Sequence, residues 1–232
     1  MTPQQAQEVI DTIIGQVFGY KNPFTLDQFQ QKFAFDVRLP SQVTDATTGA
    51  LTWAQSTNPH KFITMENAWA RFEENDGLLP TQPIQSIEDV LAAWSKVNLT
   101  ATERYLDSIN VSQSDNIYSC DGIYRSQDCH TSKKVLFSDG AIDCEYSAAV
   151  QRSHTLTYSL RVEDSNTTSN SFAISWSGNV TNSFFIHDCK DMQDSMFCSH
   201  ISGKRFCIAN MQYEEAEYMR IRDMVARWIL TQ

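Results

Sequence analysis

Glycine is scarce in this chain, with 8 residues among 232, and none falls into a G-x-G-x-x-G or G-x-x-x-x-G-K-[ST] pattern. Phosphate cradling needs such a loop so that backbone N–H groups can approach closely, so ATP and dinucleotide binding have no support. The 6 cysteines include no Cys-x-x-Cys pair, and the 5 histidines include no His-x3-5-His spacing, which removes the usual zinc signatures. No apolar run approaches the ~18 residues of a membrane-spanning helix. Bases are few as well: 18 Lys and Arg face 28 Asp and Glu, for a net charge of -10. That balance repels phosphate backbones, and the pairs Lys133-Lys134 and Lys204-Arg205, with Arg220, Arg222 and Arg227, are too scattered to form a basic patch. No nucleic-acid or membrane partner is expected. Met1-Thr2-Pro3-Gln4-Gln5 has no basic region leading into an apolar core, which predicts a cytoplasmic, reducing location with the cysteines as small buried hydrophobes.

What is present points to a folded domain: 41% hydrophobic and 20% charged residues. Ala6, Val9, Ile10, Ile13, Ile14, Val17 and Phe18 recur at helical steps and stop at Gly19. A second short helix fits Thr25 to Phe33. Between Phe35 and Trp53 the period drops to two, around a Thr-Asp-Ala-Thr-Thr-Gly turn, which predicts a loose hairpin. Three further helices are expected: one on Met65, Ala68, Trp69 and Phe72; one after a Ser86–Asp89 capping box; one from Thr100 through Tyr105, Leu106 and Ile109. Their Trp and Phe stripes have the spacing of a buried core face.

After Val111 the texture changes, and short runs built on an aromatic or aliphatic residue beside serine recur. Tyr118-Ser119-Cys120-Asp121-Gly122 is echoed by Phe137-Ser138-Asp139-Gly140 and then by Tyr158-Ser159. Asn170-Ser171-Phe172 returns as Asn182-Ser183-Phe184 and as Asp194-Ser195-Met196. Such self-similarity predicts a parallel β-solenoid of about five coils of about twenty residues, with aromatics and thiols stacked inside and Ser, Thr and Asn rungs at the corners. No small aliphatic is found at every sixth position, which favours a right-handed coil. An antiparallel sandwich is the structural alternative, weakened by the scarcity of Asp-Gly and Asn-Gly turns. Ala216 to Leu230 reads as an amphipathic helix closing the last coil, with the N-terminal helices closing the first. The expected organisation is a helical region with a hairpin over 1–111, the solenoid over 112–213 and a capping helix over 214–232.

The closing run Phe206-Cys207-Ile208-Ala209-Asn210-Met211-Gln212-Tyr213, followed by Glu217-Tyr218, resembles the end of an uncharacterised family of Saccharibacteria and other candidate-phyla bacteria, sometimes labelled CaiB/BaiF-like. The likeness covers roughly the last hundred residues and implies Cys- and aromatic-rich coils, with no known activity. Many members carry an N-terminal zinc ribbon with Cys-x-x-Cys pairs; none stands here, so no metal role transfers. Nothing in the sequence resembles the Rossmann-based CoA-transferase that the label suggests.

Three clusters carry candidate chemistry. His187-Asp188-Cys189, Cys198-Ser199-His200 and Cys207 could bring Cys189, Cys198, His200 and Cys207 around a metal, but a reduced thiol ladder with edge histidines is the simpler reading. His187 and Asp188 beside a cysteine permit a nucleophile arrangement, with no oxyanion turn to support it. Asp121 and Asp139, with Asp164 more loosely, would stack as an acid row suited to saccharide chemistry; Asp before Gly is equally a turn residue. The reading is a non-enzymatic structural or protein-interaction module, docking a partner chain or a second copy through the solenoid faces, without cofactor or metal. The alternatives are a small β-helix enzyme acting on saccharide or acyl substrates, and a phage-derived structural component.

Overall fold

The computed structural model describes residues 1–55, 57–59 and 61–231. Two reciprocal capping boxes open the chain. Thr2 accepts from the Gln5 N–H and Gln5 accepts from Thr2 to start α1 (Pro3–Phe18); Thr25 and Gln28 do the same for α2 (Leu26–Phe33). The expected hairpin follows as β1 (Ser41–Thr44) antiparallel to β2 (Leu51–Ala54), but Phe35 to Leu39, where the alternation begins, lies ahead of β1 and is not strand. A short β3 (Phe62–Thr64) leads into α3 (Met65–Asn75), then α4 (Ile87–Trp94). The helix expected from Thr100 is instead strand: β4 (Thr100–Thr102) pairs with β3, and Tyr105–Leu106 and Ile109–Ser112 already belong to the solenoid. The sequence contains aliphatics at helical steps there, yet the chain spends them on alternating strand and corner positions.

The solenoid is parallel, as expected, but its coil is twelve residues long and repeats for about nine turns, not five of about twenty. Asn166 lies beside Gly178, and Gly178 beside Lys190, each step being one coil. Tyr118, Phe137 and Tyr158 differ by intervals that are not multiples of twelve, so they never share a column; Tyr118 pairs instead with Leu106 and His130. The twelve-residue echo of Asn170-Ser171-Phe172 in Asn182-Ser183-Phe184 is the true coil. Aliphatics do recur at six-residue steps, at Val150, Leu156, Val162, Ile174, Val180 and Ile186 with Thr168 in the one gap, so the absence that favoured a right-handed coil is not found. Serines at the interleaved positions hid that pattern.

Each coil is built from residue triplets. From Asp107 to Ala209 every third residue has a left-handed backbone, and glycine holds only three of those positions. That conformation costs L-residues ~1–2 kcal/mol, so it needs compensation. Trp176, Ser177 and Gly178 show where it comes from. Trp176 donates its N–H to the Glu163 carbonyl of the coil before at 3.1 Å, and Gly178 donates to the Cys189 carbonyl of the coil after at 3.1 Å. Ser177, which points inward, donates to Oγ of Ser165 at 3.0 Å. No donor of the triplet is left over.

Inward positions alternate between small hydroxyls or thiols at corners and aliphatics between corners. The alternation holds through Ser126, Ser132, Ser138 and Cys144, then slips by three residues to Ser147, Ser153 and Ser159. Corners and faces exchange places there, and one continuous strand, Asp139–Glu163, bridges the change. The large aromatics lie outside the coil, not within it. Tyr124, Leu136, Ala148, Leu160, Phe172, Phe184, Met196 and Ile208 form an outward column, one per coil, buried under α1 and the C-terminal α5 (Glu215–Thr231). Phe18 packs on Phe172 and Phe184 at 5.3 and 5.4 Å, and each such side chain removed from water contributes roughly 1.5–3 kcal/mol. Helix α5 closes onto the last coil through Tyr218 against Phe206 and then runs back along this side, beside α1. The first coil is covered by the hairpin: Thr52 and Thr102 share a 2.8 Å hydroxyl bond, and Glu103 donates to Trp53.

Candidate functional site

A coil of twelve fixes which of the expected site residues can meet. Asp121 and Asp139 are a coil and a half apart, so they stand on opposite sides and form no acid row. Asp121 lies between Ile109 and Lys133 and accepts from Asn110 at 2.8 Å; Asp139 lies beside Gln127, with burial pushing its carboxyl up. Cys189, Cys198 and Cys207 are successive steps of nine residues, three quarters of a coil, so each turns to a different interior column and no thiol ladder forms. All three are buried, while His200 is on the outside with Asp188. Among the described residues no three His, Cys, Asp or Glu side chains come together as a metal site.

The six thiols are free; Cys120, Cys144, Cys189 and Cys207 stand at serine corner positions, and Cys129 and Cys198 at the aliphatic positions between corners. Cys120 accepts the N–H of Ser132 at 3.4 Å, as Ser108 accepts that of Cys120 at 3.1 Å. Burial pushes the Cys144 thiol up to about 12 and Cys198 up to about 11. A neutral, enclosed thiol is a poor nucleophile, so the cysteines are structural.

His187, Asp188 and His200 do come together, on one outer edge. Left-handed positions one coil apart place Arg152, Asp164, Trp176, Asp188 and His200 in a single row. Arg152 grips Asp164 through two bonds of 2.8 and 2.7 Å, and the Trp176 indole N–H donates to the same carboxylate at 3.1 Å. Hydrogen bonding from Arg152 holds the Asp164 carboxyl below its usual range. Asp188 pairs with His200 Nδ1 at 2.9 Å. His187 stands beside the row, 3.0 Å from Ser175 Oγ, with its ring 5.1 Å from Trp176 and 5.7 Å from His200. A parallel row two residues further on contains Asn166, Gly178, Lys190 and Ser202. Between the two rows runs an open groove of about 640 Å³. Trp176, Asn166, Gly178 and Lys190 were not singled out from the sequence; aligned at twelve residues, the row Asp164, Trp176, Asp188, His200 would have marked the edge.

A second feature lies at the other end of the chain. Neither α3 nor α4 buries any residue. Trp69 and Phe72 on α3, and Ile87, Val90, Leu91 and Trp94 on α4, are all exposed, although their spacing is that of a core face. Those stripes are therefore not the core that the sequence predicts. The two helices are tied by Arg71 to the Lys96 carbonyl, and Lys61 reaches Ser95. No helix among the described residues is long and apolar enough to cross a membrane. No protein-family model matches the chain, and no curated protein matches it either.

Proposed function

We propose that the chain is a non-enzymatic interaction module: a solenoid scaffold that presents the α3–α4 arm to a protein partner. The observation that carries this reading is the arm's exposed apolar stripe, Trp69, Phe72, Leu91 and Trp94 chief among it. Exposed apolar side chains at i, i+3, i+4 and i+7 of one helix are costly in water unless something covers them. Charge favours one kind of cover. The segment that carries the stripe is acidic, with Glu66, Glu73, Glu74, Asp76, Glu88 and Asp89 against Arg71 and Lys96 as the only bases between residues 65 and 98. A second copy would bring the same acidic segment against itself, so the occupant is an amphipathic helix of another protein with basic flanks. The partner docks on this arm rather than on the solenoid faces. The closing run Phe206 to Tyr213 supports placing the chain with the candidate-phyla bacterial family it resembles.

The test is a fluorescence titration of the full chain with a Lys/Leu amphipathic peptide and with its Glu/Leu counterpart. The basic peptide should bind at least about tenfold tighter, and Leu91→Ser with Trp94→Ser should remove that binding while leaving the melting temperature unchanged. Equal binding of both peptides, or no effect of the substitutions, would overturn the proposal. A dimer in sedimentation that the same substitutions dissociate would reassign the arm to a second copy.

A further inference from the structure

We propose that the groove between the Asp164–Trp176–Asp188–His200 row and the Asn166–Gly178–Lys190–Ser202 row binds a neutral oligosaccharide lying along the stacking axis. This site is on the solenoid, apart from the arm, and stands independently of the partner reading.

Trp176 is the first argument. Its side chain is 59% exposed, yet its orientation is fixed by the N–H bond to Asp164 and by the His187 ring at its flank. A fixed, exposed indole is a flat apolar platform, the surface on which the C–H face of a pyranose ring stacks. The polar end of the indole is already satisfied, so the free part is its face.

Spacing is the second. Adjacent parallel rungs lie about 4.7–4.9 Å apart, close to the length that one pyranose adds to an extended glycan. Three of the four coils then offer polar groups, Asp164, Asp188 and His200 on one bank and Asn166, Lys190 and Ser202 on the other, and the remaining coil offers the Trp176 indole above Gly178. Carboxylates, an amide, an imidazole and an ammonium match pairs of neighbouring hydroxyls, which both donate and accept.

Gly178 is the third. Its backbone is not left-handed, so no conformational demand calls for glycine. A Cβ there would stand 2.9 Å from Asn166 Oδ1. The missing side chain gives the floor of the groove its room and lets the Asn166 amide lie across it, two residues from the indole.

Charge selects neutral sugars. The groove is lined by Asp164 and Asp188 against Lys190, with Arg152 already taken up by Asp164, in a chain of net charge -10. Uronates and sulfated sugars would add repulsion. Asp164 is held ionised by Arg152, so it accepts hydrogen bonds and has no proton to give to a leaving oxygen.

The experiment is saturation-transfer NMR and calorimetry on the full chain with cellohexaose, chitohexaose and xylohexaose, and with hexagalacturonate as the acidic control. At least one neutral hexasaccharide should receive saturation on its ring C–H protons and bind in the micromolar to millimolar range. Trp176→Ala should weaken it about tenfold or more, and Gly178→Val should weaken it by displacing the Asn166 amide. Trp176 lies on the surface, so its variant keeps the wild-type melting temperature. No neutral hexasaccharide bound by roughly 10 mM, undiminished binding by Trp176→Ala, or tighter binding of hexagalacturonate would each overturn the assignment.

Discussion

The backbone N–H of Ser183 donates to Oγ of Ser171, 3.1 Å away on the coil before, while Ser171 Oγ donates to the carbonyl of Ser169 at 2.7 Å. One buried hydroxyl thus links two coils and closes its own corner. Ser171→Ala removes both bonds and leaves a buried N–H without an acceptor, which should cost ~1–3 kcal/mol in urea unfolding. Ser171→Cys should cost less, because Cys120 performs the same office for Ser132. Equal losses for the two substitutions would show that the corner hydroxyl is not what holds the coils.

Burial raises the Cys144 and Cys198 thiols to about 12 and about 11, against ~8.5 in an unfolded chain. The native state therefore keeps these protons longer than the unfolded state does. Their contribution is complete below about pH 8.5 and is lost as pH rises toward the folded values, so stability should fall through that alkaline window. Cys144→Ser should flatten the decline. A disulfide reagent at pH 8 should label none of the six thiols until denaturant is added.

Gly140 and Gly122 are both left-handed, at φ 77°, but their surroundings differ. A Cβ at Gly140 would meet the backbone N and Cα of Arg152 at 3.2 Å, whereas at Gly122 it would meet the flexible ends of Lys134 and Met1. Gly140→Ala should destabilise by ~1–3 kcal/mol and Gly122→Ala by clearly less, as read from thermal melts.

Asp45 is buried where the hairpin meets α3. Burial alone would raise its carboxyl, but hydrogen bonds from Thr47, Thr64 and Asn67 outweigh that and hold it well below the usual range. A depressed folded value gives stability above the ordinary ~3.9, lost as pH falls through and below it. Asp45→Ala at pH 7 should accelerate hydrogen exchange at Thr64 and Asn67 while leaving the Ser183 amide protected. Uniform acceleration along the chain would show that the arm and the solenoid unfold as one unit.

The first two helices were legible because Thr25 and the Ala6-to-Phe18 stripe carry local signals that need no distant partner; the hairpin was legible from its turn, but not the start of its first strand at Ser41. The solenoid was legible as a class, since serine-flanked aromatics repeat. Its period was not, because the eye follows aromatics. Tyr118, Phe137 and Tyr158 are outward residues chosen by whatever packs beside them, and they drift, whereas the inward Ser171, Ser183 and Ser195 keep strict time. The helix expected over Thr100 to Ile109 failed for a related reason: a triplet coil places aliphatics at steps of three, which a helix also does. Trp69, Leu91 and Trp94 misled in the opposite sense, since helical spacing says that a face wants cover but not whether this chain supplies it. The groove escaped notice because its residues meet only when the chain is folded at twelve.

Helices α1 and α5 lie along the column from Tyr124 to Ile208, and that arrangement turns them into a ruler. A helix advances about 1.5 Å per residue and a solenoid about 4.8 Å per coil, so one added coil outgrows roughly three helical residues. Inserted or deleted lengths of twelve keep both the corners and the outward column in step; six keeps the corners but carries the outward column to the opposite side, and three exchanges corners and faces. The slip between Cys144 and Ser147 marks the place where this chain has already absorbed one such change of phase. Its number of coils is therefore not free to wander, but is gauged against two rods of fixed reach.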